Sequence, residues 1–160
     1  MKTNYPISSI LTNKTSALWS IAPEASVFEA IKLMAEKDIG SLVVMSGGKL
    51  AGLFTERDYT RKVALQGKTS KETSVGEIIP IKVVTITPED SVEDCMRLMT
   101  EHRVRHLPVV ESDQVVGIIS IGDLVNWIIS AQRRRSSRWN NTFPAACPSR
   151  NRPLLSRSRA

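Results

Sequence analysis

Cysteine is scarce in this chain of 160 residues. Cys95 and Cys147 stand far apart and give neither a disulfide framework nor a CxxC metal knuckle, which fits a reducing compartment. Histidine is equally scarce, and His102 and His106 supply no base and orienter for a Ser-His-Asp or Cys-His constellation. No stretch approaches the ~18 apolar residues of a membrane span. The opening Met1-Lys2-Thr3-Asn4-Tyr5-Pro6 has no apolar run of the kind a secretory signal needs. Together these absences predict a cytoplasmic protein that is not an enzyme and has no membrane association.

Acid is missing from one end. Every Asp and Glu lies at or before Asp123, whereas residues 132–160 carry eight arginines, no lysine and no acid. The formal charge of +6 therefore belongs to the tail, because the first 131 residues hold 14 basic against 16 acidic side chains. A body of that size can bury about two thirds of its unfolded surface without staples. The tail, Arg-, Ser- and Pro-rich and without periodicity, is expected to be disordered. Its arginines could hold RNA, DNA or another anionic surface through salt-sensitive phosphate contacts. The abrupt change from nine lysines and five arginines to arginine alone equally fits an unrelated extension.

What the body does have is a repeat. Residues 20–63 align without a gap on residues 85–128. Ile21-Ala22-Pro23-Glu24-Ala25-Ser26-Val27 faces Ile86-Thr87-Pro88-Glu89-Asp90-Ser91-Val92, and Leu33-Met34 faces Leu98-Met99. Gly52-Leu53-Phe54-Thr55 faces Gly117-Ile118-Ile119-Ser120, and Asp58 faces Asp123. One ungapped register implies two copies of one supersecondary unit.

Each copy reads as strand, helix, strand, strand, helix. Pro23 and Pro88 end short strands at residues 18–21 and 83–86, and Pro-Glu suits a helix entrance. Val27, Ala30, Ile31, Met34 and Ala35 recur at helical spacing, as do Val92, Cys95, Met96 and Met99, so each set predicts a core-facing stripe. Hairpins are expected at 41–45 with 50–55, turning at Ser46-Gly47-Gly48, and at 107–110 with 115–120, turning at Ser112-Asp113. Closing helices are expected at about 56–65 and 121–131. A single unit of about 50 residues cannot hide both its sheet and its helices, so the pair is the folding unit.

These residues resemble a tandem pair of CBS domains, the module named after cystathionine beta-synthase. The resemblance covers residues 7–131. It is carried by Ser26-Val27 with Leu33-Met34, by Arg105-His106-Leu107-Pro108-Val109-Val110, and by the doubled signatures Gly52-Leu53-Phe54-Thr55-Glu56-Arg57-Asp58 and Gly117-Ile118-Ile119-Ser120-Ile121-Gly122-Asp123. It implies an α/β (α+β) fold of two tandem β-α-β-β-α units packed with pseudo-twofold symmetry, followed by the disordered basic tail. The first domain spans 7–66 and the second 75–131, with 67–82 as linker and lead-in to the second repeat and 132–160 as tail.

The resemblance further implies a stand-alone regulatory module that binds adenosine-containing nucleotides in two clefts between its halves and signals by changing shape. No cofactor is required. AMP, ADP or ATP is the expected ligand, with NAD and S-adenosylmethionine as further candidates, and a homodimer and an unidentified target protein are the expected partners. The residue types suit such a ligand. Asp58 and Asp123 can accept ribose hydroxyls, and Thr55 and Ser120 offer hydroxyls beside free N–H groups at the positive end of a helix. The same Ser/Thr-x-x-Asp pattern is also a variant capping box that serves only the helix.

By this analogy one cleft is built from Leu53, Thr55, Arg57 and Asp58, completed by Val104, Arg105 and His106 and, more loosely, by Ile81 and Lys82. The other is built from Ile118, Ser120, Gly122 and Asp123, completed by Ile39, Gly40 and Ser41, with no base matching Arg105 or His106. The Asp58 cleft is thus expected to prefer the more highly phosphorylated ligand. The rival readings are a scaffold whose clefts stay empty and a nucleic-acid binder working through its tail. Gly67-Lys68-Thr69 lacks the earlier glycine and the strand of a phosphate-binding loop, and His102 with His106 lacks supporting metal ligands.

Overall fold

The computed structural model describes residues 5–14, 17–80 and 82–142. The chain divides into two compact units, residues 1–127 and residues 128–160. The first contains both repeats. Its elements run α1 (Ser8–Leu11), β1 (Ser20–Ile21), α2 (Val27–Lys37), β2 (Ser41–Ser46), β3 (Lys49–Thr55), α3 (Glu56–Lys62), α4 (Val92–Glu101), β4 (His106–Glu111) and β5 (Gln114–Ser120), with 3₁₀ turns at Ala64–Gln66 and Val75–Glu77. α5 (Ile121–Thr142) starts in the first unit and provides all that is described of the second.

The repeat in sequence becomes a repeat in detail. α2 and α4 start at Ser26 and Ser91, whose hydroxyls accept from Glu29 N and Asp94 N. They bury the matching sets Val27, Ala30, Met34 and Val92, Cys95, Met99. Ala35 and Met96, assigned to the same stripes, instead face solvent, because each lies at the edge of the apolar arc. The N-caps also correct the helix starts: Pro23 and Pro88 lie in the preceding turns, not at the first helical positions. Both hairpins carry a register shift at the same place, Val44/Met45 and Val109/Val110. Both turn through two residues of positive φ, Gly47 and Gly48 in one and Ser112 and Asp113 in the other, as a tight two-residue hairpin requires.

One expected strand is missing, and proline explains it. β1 pairs parallel with β2, and Val43 N–H donates to Trp19 O (3.2 Å). The counterpart of Val43 is Pro108, which has no N–H to give. The second repeat keeps only a bridge, with Ile86 N–H donating to Pro108 O (3.0 Å) and Val110 N–H to Ile86 O (2.8 Å). The first sheet therefore has three strands and the second two.

The repeats exchange their lead-ins. The segment ahead of the first repeat docks on the second: Val92 N–H donates to Tyr5 O, Ile7 N–H to Asp90 O and Ser8 N–H to Pro88 O. Ile7 and Ile10 are buried there, and Tyr5 meets the Trp127 ring edge-on at 4.5 Å. The connector ahead of the second repeat docks on the first in the same way. Val27 N–H donates to Thr73 O, Phe28 N–H to Ser70 O, Val75 N–H to Ala25 O and Gly76 N–H to Pro23 O. Residues 67–82, read in the sequence as a polar linker, are thus integral packing, with Val75 and Ile78 in the core of the first repeat.

α5 runs past the expected boundary at Ala131 to Thr142. No Gly or Pro interrupts residues 123–143, and arginine is a good helix former, so the helix continues where compositional reading expected disorder. The rest of the tail, including Phe143, Cys147 and the last four arginines, lies outside the described residues.

Two glycines let the lead-ins lie flat on the sheets. A Cβ at Gly52 would stand 2.6 Å from Ile79 Cδ1, 3.2 Å from its Cβ and 3.3 Å from its Cγ1. One at Gly117 would meet only the tip of Leu11 closely, with Cδ2 at 2.6 Å. Gly52→Ala is therefore expected to lower unfolding free energy by about 1–3 kcal/mol, and Gly117→Ala by less, because a leucine tip can swing away. Urea melts of the two variants check the order.

Candidate functional site

Both closing helices begin at the same corner. Asp58 Oδ2 accepts from the N–H of Thr55 (3.2 Å) and from its hydroxyl, while Thr55 Oγ1 accepts from Asp58 N–H (3.2 Å). Asp123 Oδ2 accepts from Ser120 N–H (2.7 Å) and Oγ (2.7 Å), and Ser120 Oγ accepts from Asp123 N–H (3.2 Å). The capping box of the sequence is thus formed in each repeat. It fixes the carboxylate at the mouth of the helix.

An open cavity of about 870 Å³ lies at the first corner. Leu53, Thr55, Arg57 and Asp58 line it together with Lys82, Val104, Arg105 and His106. Eight of the nine residues assigned to this cleft from the sequence are therefore brought together, and the ninth, Ile81, lies outside the described residues. The wall is completed across the repeats by Arg57 Nη1, which donates to the carbonyl of Arg103 (3.0 Å), a residue held at φ 53° just beyond α4.

The cavity also collects residues the sequence reading left out. Arg61 and Lys62 lie about a turn along the helix from Asp58, and His102 and Arg103 precede the second repeat's hairpin. Their signal was proximity to residues already chosen, which a repeat alignment alone does not weigh. With Arg57, Lys82 and Arg105 they bring six fixed cations to the lining, against the carboxylates of Glu56 and Asp58. Pro80, Val83, Val84, Leu53 and Val104 add apolar surface. Lys62 Nζ bonds Asp58 Oδ1 (2.9 Å) and Ile78 O (2.6 Å).

The residues of the second set are each engaged elsewhere in the fold. Gly40, assigned to the Asp123 cleft, lines the Asp58 cavity instead, because its carbonyl takes Glu56 N–H (3.3 Å) at the start of its own repeat's α3. Ile39 packs against the core of the first repeat, and Ser41 is buried opposite Thr55 in the hairpin register. Ser120 and Asp123 are used in the capping box, and Gly122 lies beside Ser120 Oγ. The positions matching Arg105 and His106 are Gly40 and Ser41 and carry no base, but one arrives from outside the repeat, Lys14. Its ammonium donates to Asp123 Oδ2 (2.7 Å) and to the carbonyl of Ile118 (2.9 Å).

The electrostatics follow from these contacts. Burial is the largest influence on Asp123 and pushes its carboxyl up, but the bonds from Lys14 and Ser120 together outweigh it, so the group ionises below the ordinary aspartate value. His106, half-buried on β4, is pushed down by burial and then by Lys14 from the N-terminal segment, with Arg105 adding and Asp123 on α5 opposing. Cys95 is buried, and its thiol is pushed up to about 12 by burial first and then by Asp90 and Asp94, which fits packing and not nucleophilic use. Among the described residues no group of three His, Cys, Asp or Glu could hold a metal ion, and no helix is long and apolar enough to cross a membrane.

A family model for the CBS domain matches residues 7–65 and 75–130. The chain belongs to the CBS-domain family and carries two tandem repeats, a regulatory module of a kind that commonly binds nucleotides. It is 42% identical over 130 residues to the CBS domain-containing protein CBSX3, mitochondrial, of Arabidopsis thaliana, covering 78% of this chain and 63% of that relative's length. It is 33% identical over 118 residues to the CBS domain-containing protein YhcV of Bacillus subtilis, covering 74% of this chain and 84% of YhcV. The fold matches a solved CBS-domain protein from Burkholderia ambifaria MC40-6 with TM-score 0.77 at 47% identity, covering 80% of this chain and 96% of the other.

The lowered His106 value has a consequence for stability. A histidine held neutral by the fold binds fewer protons than the same residue in the unfolded chain, whose ordinary value is 6.5. Its contribution is therefore complete above that value and is lost as pH falls through the lower folded one. A series of thermal melts from pH 7.5 to pH 5 is expected to show falling stability, and His106→Gln to flatten that slope.

Proposed function

We propose that the protein is a non-enzymatic adenine-nucleotide sensor whose principal site is the Asp58 cleft. One observation carries this reading: six fixed cations and an apolar wall surround a hydroxyl–carboxylate corner in a single open cavity. Asp58 would take the ribose hydroxyls in place of Lys62, which would turn with the other cations toward phosphate. The apolar residues would take the base. The excess of positive charge favours ATP over ADP and ADP over AMP, and NAD and S-adenosylmethionine, with less phosphate charge, rank lower.

The cavity is walled by both repeats, so occupancy acts on their relative angle, and a partner protein reads that angle. Only a ligand with different affinity for the two shapes can shift them. Exposed Phe28, Met96, Ile121 and Val125 support pairing with a second copy through helical faces. A cytoplasmic site rests on the absences noted in the sequence, with a mitochondrial location, as in the Arabidopsis relative's name, as its alternative.

A second reading has its own support. Both aspartates already satisfy capping boxes without any ligand, as a scaffold with permanently empty clefts would have them. Thermal shift separates the two. ATP at ~100 times its dissociation constant is expected to stabilise by about 2.7 kcal/mol, a rise of roughly 10 °C, with smaller rises for ADP and AMP and a smaller ATP effect in high salt. Asp58→Ala is expected to abolish the rise while costing the protein up to about 1 kcal/mol through loss of the carboxylate's half of the capping box and its place at the helix N-terminus. A flat response to all five adenosine compounds supports the scaffold.

A further inference from the structure

The second corner differs from the first in where its lysine comes from. At Asp58 the ammonium is supplied by Lys62, one turn along the same helix. The counterpart of Lys62 is Trp127, which cannot do this and instead holds the Tyr5 ring. That contact anchors the start of the N-terminal segment over the second repeat. Ile7 and Ile10 are buried beneath it, and Leu11 lies against Gly117. The segment therefore delivers Lys14 to Asp123 from a fixed base.

Once there, Lys14 holds one carboxylate oxygen and one backbone carbonyl, as Lys62 does at the first corner with Asp58 Oδ1 and the Ile78 carbonyl, but from a separate, anchored segment. Asp123 Oδ2 receives three donors, the Ser120 N–H, the Ser120 hydroxyl and the Lys14 ammonium, each at 2.7 Å. The Ile118 carbonyl, on the strand leading into the corner, is taken by the same ammonium at 2.9 Å. The Lys14 and Asp123 side chains are only 22% and 24% exposed, so the pair is shielded from the water that would weaken it. A ribose aimed at either aspartate must displace a lysine and leave a carbonyl without its donor. Lys14 is the more deeply placed of the two, at 22% exposure against 38% for Lys62, and it comes from a packed segment, not from the same helix as its carboxylate.

We infer that Lys14 closes the Asp123 corner from within, so that the chain holds one adenine nucleotide, at Asp58, and Lys14 sets that number. This rests on the nucleotide reading of the Asp58 cleft, and the experiment keeps the two apart. ATP binding to the full chain is measured by equilibrium dialysis for the wild type, for Lys14→Met, which keeps the apolar stem without the charge, and for Lys14→Gln. The wild type is expected to bind one ATP per chain, and both variants two, the second at least tenfold tighter than any residual second binding to the wild type. Adding Asp123→Asn to Lys14→Met is expected to return the count to one.

Two ATP on the wild type, an unchanged count of one in both variants, or a loss of binding that makes Lys14 a ligand contact would each overturn the inference while leaving the Asp58 reading intact. No binding to the wild type but one ATP on Lys14→Met would sink the Asp58 reading and uphold the plug; no binding to either would sink both. Reductive methylation of the wild type, read by mass spectrometry, requires no variant to fold. Lys14 is expected to label at least tenfold more slowly than Lys32 with and without ATP, and rapid labelling in either state would overturn the inference.

Discussion

The hydroxyl–carboxylate corner at the start of each closing helix fixes everything else in the site. Thr55 with Asp58, and Ser120 with Asp123, satisfy helix N–H groups that would otherwise be orphaned, and in doing so hold a carboxylate where a strand gives way to a helix. The strand that leads in supplies Leu53 or Ile118, and the helix that leads out supplies Arg57, Arg61 and Lys62 or, in the other copy, Trp127. The corner is structural in the empty protein. Its chemistry is what a sugar and an anion would use.

From matching corners the two repeats draw their cations from different parts of the chain. The first gathers cations from both repeats around an open space, with Arg57 tied across to the Arg103 carbonyl. At both, a lysine pairs directly with the carboxylate, Lys62 from the same helix at Asp58 and Lys14 from the N-terminal segment at Asp123. Pro108 and Trp127 illustrate how such divergence proceeds. Each stands where the first repeat has another residue, Val43 or Lys62, and each lacks one donor, a backbone N–H in the first case and an ammonium in the second. His106 bears on both corners, lining the open cavity at one while feeling Lys14 and Asp123 at the other.

The fold was legible because the repeat is ungapped: one alignment fixed the helix stripes, the hairpins and both corners at once. The Asp58 cleft was legible because its parts lie in the repeat or immediately before a hairpin. Arg61, Lys62, His102 and Arg103 lie inside the aligned cores but differ between the copies, so alignment did not single them out; the other misses lie outside those cores. Lys14 belongs to a segment whose docking partner is more than a hundred positions away, and nothing in its local sequence says which repeat it will cover. The matching role of residues 67–82 was hidden for the same reason, since a run of Lys, Thr, Ser and Glu reads as solvent-facing until Val75 and Ile78 are seen in the core. Gly40 also reaches the Asp58 cavity, a position that symmetry with its much larger counterpart Arg105 did not suggest.

The crossed lead-ins carry a historical implication. Each repeat is covered by the stretch of chain that precedes the other, so a lone ancestral unit could have completed itself only by trading that stretch with a second copy. The two lead-ins now differ in what they bring, one carrying Lys14 to Asp123 and the other running through Pro80 at the edge of the Asp58 cavity.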